Sequence, residues 1–368
     1  MSTVKKNQIF VYLYALTIIM VIDDHCSTRI GLLSNIFPYN SFYMPLFVFI
    51  SGYFFKQTKI LDFIEHKIKR LLIPYIIYDC IMILLSIVID SIFKTHWYKG
   101  ISIKQIGKTL IFGPTTSLNG AAWFVIMLFW VSIIYCVIRR IFPSNHINDV
   151  FVFIITTVCS IVCLYIRITI DYKSFWFIIC SRTAFYLQFY NWGYMFKIYF
   201  EKRLIIHRKL LVCSLCMLIN IILILLYGDK INFSSTSVMG SFNYVFIPFI
   251  TSATGILFYY EIANFLSSKF GEVHFISFIG RNTFVIMQVH LLFVNIPNFY
   301  AYLQAKAGNP KYIDFPIDKF IQSTWIRFNP NTRLVGFFCG LIGGLLIAYI
   351  LEYIKQYTKS KMHKNIDN

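Results

Sequence analysis

The sequence predicts an all-α bundle of about ten membrane-spanning helices, and three observations carry that expectation. Hydrophobic residues fill 58% of the 368 positions and charged residues only 14%, where a soluble domain has about a quarter charged. The apolar runs are long and unbroken, with no charge from Leu210 to Tyr227 or from Thr251 to Tyr260. Runs of that kind read as helices and exclude a β-barrel, which needs short alternating segments. Finally, the basic residues sit in short clusters between the runs, the pattern of cytoplasmic loops in membrane proteins.

The spans are expected at about 8–25, 37–55, 71–93, 120–139, 149–167, 174–197, 210–228, 241–262, 275–297 and 334–355, each near the ~20 residues that cross a bilayer. Pro45 and Pro248 interrupt the second and eighth. A cytoplasmic N-terminus places Lys5-Lys6, Lys56 to Arg70, Arg139-Arg140, Lys197 to Lys209, Lys269 and the Lys355–Lys364 tail inside, so the chain reads as N-in and C-in. The long 298–333 segment is then an extracytoplasmic loop. Residues 56–70 alternate apolar and basic groups at helical spacing and read as a cytoplasmic interfacial helix, suited to anionic lipid or to a phosphorylated ligand. The net charge of +18 is spread over these clusters, which points to the lipid bilayer as partner and not to nucleic acid. The nine cysteines make no disulfide framework, and Cys213 and Cys216 read as buried thiols of one helix. No cleavage pattern follows His25, so the first run reads as a retained helix. No internal repeat is visible. The whole chain, 1–368, reads as one membrane domain in the cytoplasmic membrane.

Chemistry is expected first at His25, which closes the first run after Asp23 and Asp24. Ionisable groups in membrane-length segments are costly and mark function by default. A histidine exchanges protons near neutral pH, and a neighbouring carboxylate can orient it. Tyr14, eleven residues earlier, shares its helix face at ~16 Å along the axis. His290 falls at a similar depth on the ninth span, with Thr283 on its face and Arg281 on the opposite face of an unbroken helix. Arg182 is a full charge in the outer half of the sixth span and faces inward, either paired with Asp23 or Asp24 or serving a substrate. Trp123 with Phe124, and Tyr53, can stack on a sugar, although interfacial anchoring is the commoner use of such rings. Adjacent aspartates diverge by ~100° on a helix, which disfavours a metal.

The chain resembles the membrane acyltransferase-3 family, integral-membrane O-acyltransferases of bacterial surface glycans. The resemblance rests, in order, on His25 at the end of the first helix, Pro45-Leu-Phe-Val-Phe-Ile-Ser-Gly-Tyr53, Lys69-Arg-Leu-Leu-Ile-Pro74, Trp123-Phe124, and Ile279-Gly-Arg-Asn-Thr-Phe followed by His290. It implies a cytoplasmic acyl-CoA donor, usually acetyl-CoA, and an acceptor sugar hydroxyl outside the membrane or on a lipid-linked intermediate. It also implies that His25 is the catalytic base or acyl relay. The family usually has a cation eleven residues before that histidine; Tyr14 stands there instead, and Arg281, at nearly the same depth, is the candidate replacement.

The expected function is therefore O-acetyl transfer from acetyl-CoA to a surface polysaccharide or its lipid-linked precursor. Asp24 or Asp23 would orient His25, His290 and Arg182 would orient the acceptor or stabilise the oxyanion, and no metal is expected. A proton-coupled exporter using His25 and the aspartates is the alternative. A polyprenyl-phosphate glycosyltransferase would want a carboxylate-rich outer loop, and 298–333 offers only Asp314 and Asp318.

Overall fold

The structure is a computed structural model that describes residues 3–26, 32–38, 41–98, 100, 103–114, 116–170, 175–201, 209–228, 244–328 and 330–364. Among these the chain is helical, without a strand. The helices in order are α1 (Thr3–Cys26), α2 (Tyr43–Tyr53), α3 (Ile60–Lys67), α4 (Ile73–Phe93), α5 (Ile103–Phe112), α6 (Trp123–Ile141), α7 (His146–Ile170) and α8 (Phe175–Met195). After them come α9 (Lys209–Tyr227), α10 (Ile247–Phe270), α11 (His274–Arg281), α12 (Thr283–Val294), α13 (Ile296–Lys306), α14 (Ile317–Gln322) and α15 (Pro330–Lys364). Seven helical stretches among the described residues are long and apolar enough to cross a membrane. The chain is an all-α polytopic bundle, and each expected span overlaps helical structure, the ninth taking in both α11 and α12.

Two expected spans begin later than the apolar runs suggested. The helices begin at Tyr43 and Ile247, so Pro45 and Pro248 lie in first turns. A proline interrupts nothing there, because first-turn amides have no intrahelical acceptor. The interfacial helix also starts later than expected, at Ile60, and runs through a π-helical turn at Ile68–Leu72 into α4. Lys56 and Lys59 precede it. Of the basic clusters, residues 202–208 and the side chains of Lys5, Lys6, Lys359 and Lys364 lie outside the described residues.

α1 is the central post. It packs on α2, α10, α11, α12 and α15, and Tyr12, Leu13, Ala15, Thr17, Ile18, Val21 and Ile22 are fully buried around its circumference. A helix apolar on every side must be enclosed by others. Its register against α11 and α12 is set by two contacts. Gln8 Nε2 donates to Ser277 Oγ at 2.9 Å. One turn further on, a Cβ on Gly280 would lie 2.1 Å from Val11 O, so only glycine permits this approach. The two segments therefore run parallel, and α12 is carried alongside the end of α1. α15 runs antiparallel to α12, with Gly336 beside Val294 and Gly344 beside Ile286.

The 298–333 segment is not an open loop. α13 and α14 fold back over the bundle end, where Trp97 Nε1 donates to Phe320 O at 2.9 Å and Tyr302 Oη to Phe93 O at 2.7 Å. Phe315, Phe320, Tyr302 and Trp97 form a second apolar core with Met82 and Val289. That core brings residues 323–328 to the end of α1.

A Gly280→Val variant is expected to force α1 and α11 apart, costing about 1–3 kcal/mol and lowering the melting temperature of the detergent-solubilised protein. Gly107→Ala, with nothing within 4 Å of the new methyl, is the control and is expected to melt no lower than the parent. Equal melting of all three proteins would contradict the role given to Gly280.

Candidate active site

The end of α1 and the end of α12 place two imidazoles side by side. His25 Nδ1 and His290 Nε2 are 2.7 Å apart, and the rings are nearly parallel, at 6° with centroids 5.0 Å apart. The direction of the shared proton follows from the other side of the pair. His290 Nδ1 lies 2.9 Å from Met287 O and 3.2 Å from Ile286 O. Carbonyls only accept, so Nδ1 of His290 carries hydrogen and its Nε2 offers a lone pair. His25 Nδ1 therefore donates, and His25 Nε2 is left unprotonated. Nε2 of His25 makes no hydrogen bond among the described residues. His290 is fully buried and His25 partly so.

The aspartates do not hold the imidazole. Asp24 Oδ2 accepts from Tyr43 Oη at 2.9 Å, and Asp23 is buried. Neighbours on a helix point about 100° apart, so the residue that orients His25 comes from a distant helix instead. Among the described residues the hydrogen-bond partner of the His25 ring is His290, not the expected Asp24 or Asp23.

A cavity of about 830 Å³ opens beside the middle of α1, at Tyr14. Its exposed rim carries Lys56, His66, Lys67, Arg70 and Arg281 with one carboxylate, Asp62; its buried wall includes Phe47, Phe124, Thr283 and Met287, with Tyr14 partly buried beside them. Met287 is one turn before His290 on α12, so the cavity reaches within about one helical turn of the paired imidazoles. Arg281 and Tyr14 line it together because α11 and α12 are not one helix. Asn282 breaks the run at φ −104°, ψ 14°, which cancels the opposite-face geometry expected for an unbroken helix. Arg281 also pairs with Glu272 at the exposed rim.

Arg182 faces inward, as expected of a cation on an apolar helix, with its guanidinium over Trp123 at 4.3 Å and Phe112 at 5.0 Å. Trp123 begins α6 and is partly buried. Tyr53 is 2% exposed, its ring on Phe10 at 4.1 Å and its hydroxyl donating to Glu201 at 2.7 Å. That ring is covered by protein and offers no face to a sugar.

Two residues at the site were not anticipated. Trp325 meets the His25 ring edge-on at 5.3 Å, and Arg327 Nε donates to His25 O at 3.0 Å. Burial brings the Arg327 guanidinium down to about 10, so it keeps its charge at neutral pH. Trp325 and Arg327 lie two positions apart in a mixed apolar and polar stretch, and nothing in the sequence ties them to His25.

The family model described as an acyltransferase domain, acyltransferase-3, matches residues 12–353. The chain belongs to the acyltransferase-3 family. No curated protein and no solved structure matches it. A membrane acyltransferase needs a base or nucleophile in reach of an acyl donor, and His25 Nε2 has the lone pair for either task. The match runs from Tyr12 on α1 into α15 and so includes every residue of the site described above. Among the described residues no group of three or more His, Cys, Asp or Glu side chains is arranged to hold a metal ion.

The pair makes a direct prediction for this acyltransferase. His290→Ala removes the acceptor that fixes the His25 tautomer, and acyl transfer is expected to fall by about 10²–10⁴-fold. His290→Gln keeps an acceptor oxygen and is expected to recover about tenfold of that loss, or 1.4 kcal/mol. Steady-state rates of the three proteins decide it: equal losses in Ala and Gln would contradict tautomer control.

Proposed function

We propose that the protein is an O-acetyltransferase of the cytoplasmic membrane, moving acetyl from cytoplasmic acetyl-CoA to a sugar hydroxyl of a surface polysaccharide or its lipid-linked precursor. The observation that carries this reading is the pairing of a cation-rimmed cavity beside Tyr14 of α1 with an unprotonated imidazole nitrogen near the end of the same helix. Lys56, Lys67, Arg70 and Arg281 suit the phosphates of CoA, since clustered cations recognise anionic oxygen. The apolar depth between Phe47, Phe124 and Met287 suits a thin pantetheine arm. Arg281 supplies the cation that Tyr14 does not. With N-in and C-in orientation the basic mouth faces the cytoplasm and His25 faces outward.

In this reading the acceptor hydroxyl gives its proton to His25 Nε2 as its oxygen attacks the thioester carbon. The C–S bond then breaks, and the same nitrogen returns the proton to the departing thiolate. The proton has no onward route through His290, whose outer nitrogen is tied to Met287 O and Ile286 O. A covalent variant, with Nε2 itself carrying the acetyl group, uses the same lone pair. Arg182 and Trp123 sit together on α8 and α6 and are candidates for holding the acceptor. The exporter alternative draws no support from the family match.

Proton NMR of the surface polysaccharide from cells with the native protein, without it, and with His25→Ala tests the reaction. The expected outcome is an O-acetyl signal lost in both defective strains with polymer yield unchanged. Native polymer without acetyl groups, failing to reach the surface on deletion, would overturn it. For the donor side, Arg281→Ala is expected to raise KM for acetyl-CoA about tenfold, a charge-assisted contact of ~1.5–3 kcal/mol in part replaced by its neighbours. Unchanged kinetics in Arg281→Ala would remove that assignment.

A further inference from the structure

Residues 323–328 form a strap across the end of α1, fastened on both sides of Trp325. Thr324 Oγ1 donates to Ser117 O at 3.3 Å, and the Trp325 amide donates to Ser323 Oγ at 3.2 Å. Beyond it, Arg327 Nε holds His25 O, while Nη1 donates to Asn295 Oδ1 at 3.3 Å and to Thr324 O and Ile326 O at 2.8 Å. The arginine thus closes the strap on itself and ties it to the catalytic helix.

The indole between these ties is held as well. Its benzene edge rests on Gly120, where a Cβ would come within 2.8 Å of Cζ2. It crosses the His25 ring at 68° with centroids 5.3 Å apart. It is nevertheless 45% exposed. An aromatic anchor at a membrane surface is also exposed, but it needs no seat and no contact with a catalytic imidazole. Trp325 has both, and the fastening strap costs chain entropy that an anchor would not require.

We propose that Trp325 is the platform on which the acceptor sugar ring stacks for transfer. The inference rests on the acyltransferase reading with a glycan acceptor. One face of a pyranose is a sheet of C–H bonds, which packs on an indole as apolar surface, while the hydroxyls stay at the rim. A sugar on this indole presents its rim hydroxyls toward His25. The acyl donor arrives through the cavity on the opposite side, so the two substrates reach the imidazole from two directions. The chemical class that fits is a neutral or lightly substituted pyranose of a polysaccharide or lipid-linked glycan, with one unobstructed C–H face.

The test uses the full-length protein in detergent, with acetyl-CoA and the de-O-acetylated surface polysaccharide of the source cell as probes. Trp325→Leu keeps an apolar side chain on Gly120 and removes the π face; Trp325→Phe keeps a smaller one. Trp325→Leu is expected to raise both the acceptor KM and the directly measured polysaccharide Kd about tenfold, the scale of an aromatic stacking contact. KM for acetyl-CoA and the melting temperature are expected to stay as in the parent, and Trp325→Phe to recover most of the acceptor affinity. Unchanged polysaccharide Kd in Trp325→Leu, or equal rises in both KM values, would overturn the platform while transfer by the parent protein upholds the function. Tight binding by the parent without any transfer, weakened in Trp325→Leu, would overturn the transferase reading and uphold the platform. A parent protein that neither binds nor acylates the polysaccharide would overturn both.

Discussion

The hydrogen bond of 2.7 Å between His25 and His290 can form only if two parallel segments hold register to a fraction of an ångström along their whole length. The packing below it meets that demand. Gln8 with Ser277 sets the start, Gly280 lets α11 touch the backbone of α1 at Val11, and Asn282 redirects the chain into α12. The last helix closes the arrangement, with Gly340 against both Val294 and Ile22. In lipid, where apolar contact between helices has little driving force, such close approaches and interhelical hydrogen bonds are what hold helices together. The same contacts that stabilise the centre of the bundle therefore fix the proton on His25.

Polar groups elsewhere in the bundle show what a purely structural solution looks like. Arg139, fully buried, pairs with Asp149 and donates from Nε to Tyr135 Oη at 2.9 Å and from Nη2 to Asn191 Oδ1 at 3.1 Å. Tyr199 completes the set on Asp149 at 2.7 Å. A buried charge satisfied on every side ties α6, α7 and α8 together and has no capacity left for chemistry. At His25 the pairing among the described residues is one-sided: Nδ1 is engaged and Nε2 makes no hydrogen bond. In the proposed reaction, that asymmetry leaves the imidazole a lone pair that a helix-to-helix strut would not keep.

Much of this was legible in the chain. The helices follow from uninterrupted apolar runs, and His25 stands out because an ionisable group is expensive there. Tyr14 on the same face, eleven residues away, indicated a path along α1, and Tyr14 lines the cavity. Other features were hidden for physical reasons. The partner of His25 is 265 residues distant, whereas the adjacent aspartates are near only in sequence and diverge on the helix. The break at Asn282 has no proline to announce it, and it alone puts Arg281 on the Tyr14 side. Tyr53 ends an apolar run and looks like a surface ring, yet tertiary packing buries it against Phe10 and Glu201. Trp325 and Arg327 were unreadable because their position depends on how α13 and α14 fold onto Trp97.

The account joins two compartments through one imidazole: a donor from the cation-rimmed cavity and an acceptor from the strap side. Transfer in sealed proteoliposomes tests that most directly, with protein oriented uniformly, acetyl-CoA on the side of the basic mouth, and de-O-acetylated polysaccharide on the other. The account predicts acetylated polysaccharide in this arrangement, none when acetyl-CoA is moved to the opposite side, and none with His25→Ala. Acetylation that requires both substrates on one side, or that persists without His25, would contradict it.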